Sequence, residues 1–500
     1  MKKTLYICAL IVLAGSMVSC KKYLDINKDP DSLLEDQVPI QLLLTNVTTN
    51  IGFTGGSDLF RYGALLTQQF SGQTTGGETQ TQQYEKYLIQ SADVNNLFNT
   101  IYAQTLNDIE VIIRRATADG SPHYSGVAKI LKAYTYQLAV DAWGDLPFSE
   151  AQQTTANLFP HYDDDASIYP KLIELLDEGI QEVSAASSTI SPGSNSTIYS
   201  GSFATRKTNW IKFANTLKLR LLIHYSKIDK PFLVNQITAL VNSGGPFMES
   251  IDDNFQMPFL SEARRQNPIH QFEINRANYL FPNKRLVDMM NAKDDPRRPF
   301  YFTEFPAGSG EYKGAQAADP SSQKYSRMHV YLRGTASGGT PNDDGSYDPT
   351  GAKAISYTGA APIRMLTFAE YNFIRAEAAL YGAPGDAQEF FEAGIRASMQ
   401  MAGVEDDDID DYIAAHGTLT GTDEDKLRQI IEEKYVANYG VIEEPWTDWR
   451  RTGYPQLDVV SNAVLSGIPR SLPYPQNEMD LNPNAPPQKA SLLEKVFWDQ

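Results

Sequence analysis

The chain has 500 residues and a formal net charge of −18, with a sequence pI near 4.8. That balance argues against a nucleic-acid partner, whose phosphates need a basic footprint, and against a polybasic grip on anionic lipid. Only two cysteines are present, Cys8 and Cys20, so a disulfide framework is not expected. Aromatic residues are plentiful, with 27 Tyr and 22 Phe, and they are the compositional pointer to recognition.

In chain order, Lys2 and Lys3 precede an apolar run, Leu5 to Leu13, and then the small residues Ala14-Gly15-Ser16 and Met17-Val18-Ser19-Cys20. A cationic head, a greasy stretch too short to span a bilayer and small side chains at the cut make a secretory signal over residues 1–19. Small residues before a cysteine resemble the lipobox of bacterial lipoproteins, in which Cys20 becomes the acylated first residue of the mature chain. The other reading is an ordinary cleavable signal with Cys20 incidental. Acyl chains contribute roughly 0.8 kcal/mol per buried methylene, so several on one residue anchor a protein durably. Residues 20–37 are polar and read as a lipidated tether.

Val38 to Asn50 and Asp58 to Phe70 carry apolar residues at helical spacing, with Gly52, Gly55 and Gly56 marking the turn. Leu97 to Ile113 forms another stripe. The helix after it has Ser121 as predicted N-cap and Pro122 in its first turn, and runs to Ala142. Ile168 to Val183 and a helix opened by Asn209, with Trp210, Phe213, Leu217 and Leu221, make a third hairpin. Thr367 and Glu370 form a predicted capping box, Asp386 and Glu389 repeat it, and Asp423 to Asn438 carries the last stripe. A hairpin cannot bury its own apolar stripe, so neighbours must stack on it. The fold class is therefore mostly α: TPR-like helical hairpins stacked into a scaffold carrying a loop-rich, aromatic-rich inserted subdomain. The match to a TPR consensus is poor, so periodicity alone supports helical hairpins only.

Scaffold is expected over residues 38–243 and 366–440, with a loop-rich insertion on the ligand side at 244–365 and a wrapping segment at 441–500. The insertion is too rich in aromatics to be disordered. Acidic clusters at Asp163–Asp165, Asp252–Asn254, Asp343–Asp344 and Asp406–Asp411 lack EF-hand spacing and read as solvated faces. With no HExxH, P-loop or GxSxG, neither a metal nor a cofactor is expected.

Several stretches together resemble the SusD/RagB family of outer-membrane nutrient-binding lipoproteins. They are Cys20–Asn27, Asp141-Ala142-Trp143-Gly144-Asp145-Leu146-Pro147-Phe148, Asn209–Arg220, Leu366–Ala378, Glu444–Pro455, Ile468-Pro469-Arg470, Tyr474-Pro475, Glu478 and Phe497-Trp498-Asp499. Ser471, Leu472 and Phe497 depart from the family pattern. The resemblance implies a non-catalytic receptor, lipid-anchored in the outer membrane and facing the cell exterior. It also implies a SusC-like TonB-dependent barrel as partner and an oligosaccharide, or in some members a peptide, as cargo.

A sugar site needs flat rings for the C–H face and amides or guanidinium groups for the hydroxyls. Two stretches have that mixture: Gln69, Phe70, Tyr84 and Tyr87; and Tyr279, Phe281, Tyr301, Tyr325, Arg327 and Tyr331. Both belong to the regions that build the pocket in relatives, so these ten are collectively the expected ligand residues, although for any single ring core packing is the commoner role. Arg450 and Arg451 are expected to pair with acids or carbonyls and lock the C-terminal segment to the helices. A secreted glycoside hydrolase is the competing class, and would need two carboxylates at a set separation.

Overall fold

The computed structural model describes residues 38–73, 77–153, 156–317 and 324–500. The signal, Cys20 and the tether lie outside the described residues. Among those described, no helix is long and apolar enough to cross a membrane. The architecture is mostly helical.

The first hairpin is α1 (Ile40–Thr54) and α2 (Asp58–Leu66). Gly55 and Gly56 make the turn, whereas Gly52, also expected there, lies inside α1; a Cβ on Gly56 would lie 2.5 Å from Pro268 Cγ. The second helix was expected to reach Phe70, but it stops at Leu66. Gln68 turns the chain at φ +57, and Phe70 opens strand β1 (Phe70–Gly72), whose partner lies some two hundred residues away. Backbone pairing across the fold overrides local helical spacing here. After α3 (Gln80–Glu85), α4 (Asn95–Asn99) passes through a π-helical stretch, Thr100–Leu106, into α5 (Asn107–Ala118).

α6 (Pro122–Trp143) and α7 (Asp165–Val183) pack closely because Gly126 faces Gly179. A Cβ at Gly126 would lie 2.7 Å from Val183 N, and one at Gly179 2.7 Å from Ile130 Cγ1. Ser121 occupies the N-cap position without bonding its own helix; its Oγ instead accepts from Ile190 N at 3.3 Å. Gly144 ends α6 at φ +81, where a side chain would strain the backbone. α8 (Phe203–Ile223) begins six residues before Asn209, with Ser202 at the N-cap position, and the Asn209 amide donates to Asp253 Oδ1 at 2.9 Å.

α9 (Lys230–Asn242) leads to β2 (Phe255–Met257). The loop-rich stretch then holds α10 (Pro268–Asn275), β3 (Leu280–Pro282), α11 (Lys284–Asn291), α12 (Arg298–Tyr301), α13 (Val330–Arg333), and β4 (Ala336–Ser337) paired with β5 (Ser356–Tyr357). β6 (Ile363–Leu366) pairs antiparallel with β2 and closes its base. Phe213 of α8 stacks on Phe255 of β2 at 3.7 Å, so scaffold and insertion share a core.

The chain then returns to helices: α14 (Phe368–Leu380), α15 (Ala387–Ala402), α16 (Asp406–His416) and α17 (Asp423–Ala437). Asp406, Asp407 and Asp408 form the first turn of α16, where carboxylates complement the helix dipole. Half of the predicted box at Thr367 is present: its hydroxyl accepts from Glu370 N. The Glu370 carboxylate is committed elsewhere, accepting from Arg220 Nε and Nη2 at 2.7 Å each in the buried core.

The last segment carries α18 (Glu444–Thr452) and α19 (Gln476–Leu481). Arg450 lies between the rings of Trp446 and Trp498, 3.8 and 4.6 Å from their centroids, and donates to the carbonyls of Asp141 and Arg470. Arg451 forks onto Glu377 and also holds Asp448. Trp143 Nε1 donates to Pro473 O at 2.9 Å. These contacts fasten the C-terminal segment to α6 and α14.

Candidate functional site

β1 and β3 pair antiparallel, Phe70 opposite Pro282, Ser71 opposite Phe281 and Gly72 opposite Leu280. This ribbon joins the two stretches singled out by sequence, but it turns most of their side chains inward. Nine of the ten expected ligand residues are buried, and only Tyr279 is half-buried. Phe70, Tyr301 and Tyr331 surround Tyr439, with ring centroids 5.2, 4.8 and 6.4 Å from it. Gln69 donates its amide to the carbonyls of Tyr435 and Asn438. Tyr84 packs on Tyr62 at 4.8 Å, and the Tyr87 hydroxyl accepts from Val460 N at 3.1 Å. Phe281 meets Tyr325 edge-on at 6.0 Å and lies 4.9 Å beneath Arg327. Arg327 in turn is fixed by Glu273 and Asn278; burial lowers its affinity for a proton and raises that of Glu273, and each group's charge opposes the other's shift. These side chains are packed into the interior and do not face a ligand as expected; a ring gains more by joining such a core than by facing water.

A solvent-facing recess lies at the Tyr279 end of the ribbon. α10 starts where Asn267 Oδ1 accepts from Ile269 N and His270 N and Pro268 takes the first helical position. One face buries Ile269, His270 and Glu273; Gln271, Phe272 and Asn275 line a recess of about 550 Å³ together with Ser57, Arg61 and Arg276. The Arg61 guanidinium stands 4.6 Å from the Phe272 centroid and pairs with Asp58. Tyr279 meets the same Phe272 ring edge-on at 6.3 Å. The Tyr279 carbonyl accepts from Gln73 N at 3.1 Å and Thr81 Oγ1 at 2.7 Å, so the segment after the first hairpin docks against it.

A larger cleft of about 690 Å³ opens at the other end, beside Asn283. Arg285 crosses it to Asp458 at 2.6 Å, Asn283 caps α11 through Arg285 N, and Met289 and Val459 supply its apolar wall. Among the described residues, no aromatic lines it. One ring, Phe272, comes together with amides and guanidinium groups in the smaller recess, and Tyr279 packs against that ring.

Phe272, Arg61, Gln271 and Asn275 were not singled out by sequence. α10 has only eight residues, too few for periodicity to register; the Asn267-Pro268 start signal was the available clue. Elsewhere, carboxylate oxygens of Asp145, Asp164 and Asp165 lie within 4.8 Å of one another. They already cap backbone: Asp145 accepts from Asp165 N, Asp164 from Ser167 N and Asp165 from Phe497 N. Burial pushes the Asp165 carboxyl up to about 6.

Residues 32–475 match the SusD-like family described as starch-binding and associating with the outer membrane. The chain belongs to this family. No curated protein matches the sequence. Among solved structures, a chitin-binding protein superposes with a TM-score of 0.75 at 23% identity, covering 92% of this chain and 100% of its own. A SusD homologue from Bacteroides uniformis gives 0.71 at 22% identity, covering 92% and 99%. A chitin-binding SusD homologue from Flavobacterium johnsoniae gives 0.71 at 21%, covering 92% and 97%. At these identities the likeness of this SusD-like chain to its neighbours is one of fold.

Proposed function

We propose that this SusD-like chain is a non-catalytic receptor that holds an oligosaccharide at the outer surface of the cell and hands it to a SusC-like TonB-dependent barrel. Cys20 carries the acyl anchor in the outer leaflet, and residues 20–37 are the leash. The observation that carries the reading is the family match over 32–475, whose description couples starch binding to the outer membrane.

The recess at Phe272 and Tyr279 suits the cargo: a ring face meets sugar C–H groups while Gln271, Asn275 and the arginines reach hydroxyls. The nine buried residues, Gln69, Phe70, Tyr84, Tyr87, Phe281, Tyr301, Tyr325, Arg327 and Tyr331, support this binding from behind, and Tyr279 touches the ligand. Calorimetry against malto- and chito-oligosaccharides, with peptides as controls, tests the reading. Retention of a sugar without cleavage supports it; sugar cleavage, or binding of peptides alone, overturns it. Replacing Cys20 by Ala is expected to release the protein from outer-membrane fractions prepared without the barrel, and continued sedimentation there defeats the anchor.

A further inference from the structure

We infer that the recess beside Phe272 prefers an anionic glycan, one bearing uronate carboxylates or sulfate esters, over a neutral one. The inference rests on the reading of that recess as the glycan site and goes beyond it in naming the charge of the cargo. The chain carries a net charge of −18, yet among the described residues the lining of the recess holds two arginines, Arg61 and Arg276, and no acid, with Asp58 standing behind Arg61 as its partner. Arg276 is exposed and forms no ion pair among the described residues. Arg61 is already oriented, with one edge on Asp58 and its face on Phe272.

The loop entering α10 carries Arg264 and Arg265, both exposed, and one exposed acid, Glu262; of the other acids nearby, Asp58 is half-buried and paired with Arg61, and Glu273 is buried and paired with Arg327. Charges further than a Debye length, about 8 Å at physiological ionic strength, are largely screened, so these local cations decide what approaches. A guanidinium fork matches a carboxylate or sulfate in shape, and charge-assisted hydrogen bonds are about twice as strong as neutral ones. A neutral sugar would use the Phe272 ring equally well and gain less from the positive charge than an anionic one. The ligands in the descriptions of the family and its neighbours, starch and chitin, are neutral, so this preference is a property of these residues in this chain.

The test titrates the full mature protein with tetragalacturonate, a sulfated galactan tetrasaccharide, maltotetraose and chitotetraose at about 50 mM and about 500 mM salt. At least one acidic sugar is expected to bind about tenfold or more tighter than both neutral ones at low salt, with the gap shrinking at high salt. Which acidic sugar wins separates carboxylate from sulfate. Arg276→Gln should close most of the gap and Arg276→Lys preserve part of it, while thermal melts of both match the parent. Neutral sugars binding as tightly as acidic ones, or a gap untouched by Arg276→Gln, overturns the inference and leaves the glycan reading standing. Failure of every sugar to bind removes both.

Discussion

Two arginines of this chain lie flat on aromatic rings in opposite surroundings. Arg450 is buried between Trp446 and Trp498, with its donors given to the carbonyls of Asp141 and Arg470 and to Thr447 Oγ1. Arg61 rests on Phe272 at the edge of an open recess, held by one nearby carboxylate. The ring contact is similar; the number of protein partners differs. Around α18 the Nη donors are committed to the chain, those of Arg450 to Asp141, Arg470 and Thr447 and those of Arg451 to Glu377, Asp448 and Ser226, which makes the group a clasp. Beside α10 donors are left facing solvent, which makes the group available to a ligand. Saturation of partners separates the two roles better than residue type does.

The largest expected effect comes from opening the clasp. Arg450→Ala removes a buried cation, leaves two carbonyls and the carboxyl of Glu443 unmatched, and should cost about 3–5 kcal/mol in denaturant unfolding. A change below about 1 kcal/mol would show that the C-terminal segment is not fastened through this residue. Next is Gly126→Ala, whose methyl group would meet the α7 backbone at 2.7–2.8 Å; forcing those helices apart should cost roughly 1–3 kcal/mol on the same assay.

The insertion is expected to respond to acid. Burial, with the charge of Arg333, lowers both His270 and His329 to about 4, against an ordinary value near 6.5. Between those values the unfolded chain binds protons that the folded one refuses. Their contribution to stability is therefore whole above pH 6.5 and is lost as pH falls towards 4. Melting followed from pH 7 to 4 should show this decline, and the double variant His270→Gln, His329→Gln should flatten it; an unchanged slope would remove these histidines from the account. The smallest expected change in stability belongs to Phe272→Ala. Its ring is half-buried, so unfolding should shift by less than about 1 kcal/mol. Oligosaccharide affinity should nevertheless fall about tenfold by calorimetry, equivalent to about 1.4 kcal/mol. Loss of stability with affinity intact would place Phe272 with the clasp.

Much of the helical scaffold was legible because its signals are local. Thr367 and Asp386 announce helix starts through their own side chains, and the stripe from Val127 to Ala142 marks a helix, although α6 is buried on nearly every side and not on that face alone. The candidate site was legible only as a neighbourhood. Sequence picked the two stretches that β1 and β3 join, yet it chose the rings that close the core around Tyr439 and overlooked Phe272 on a helix of eight residues. Glu370 shows the same limit: its spacing from Thr367 promised a capping box, and Arg220 of α8 took the carboxylate.

The amino-acid order by itself determined the class of protein: helical stripes with their caps, and the motifs that place the chain in its family. Tertiary structure decided which rings are hidden, which arginines are satisfied and where a recess remains open. The reason is that helix propensity and capping act over a few neighbouring residues, whereas burial and partner saturation depend on segments hundreds of positions apart, and no window of sequence contains both sides of such a contact.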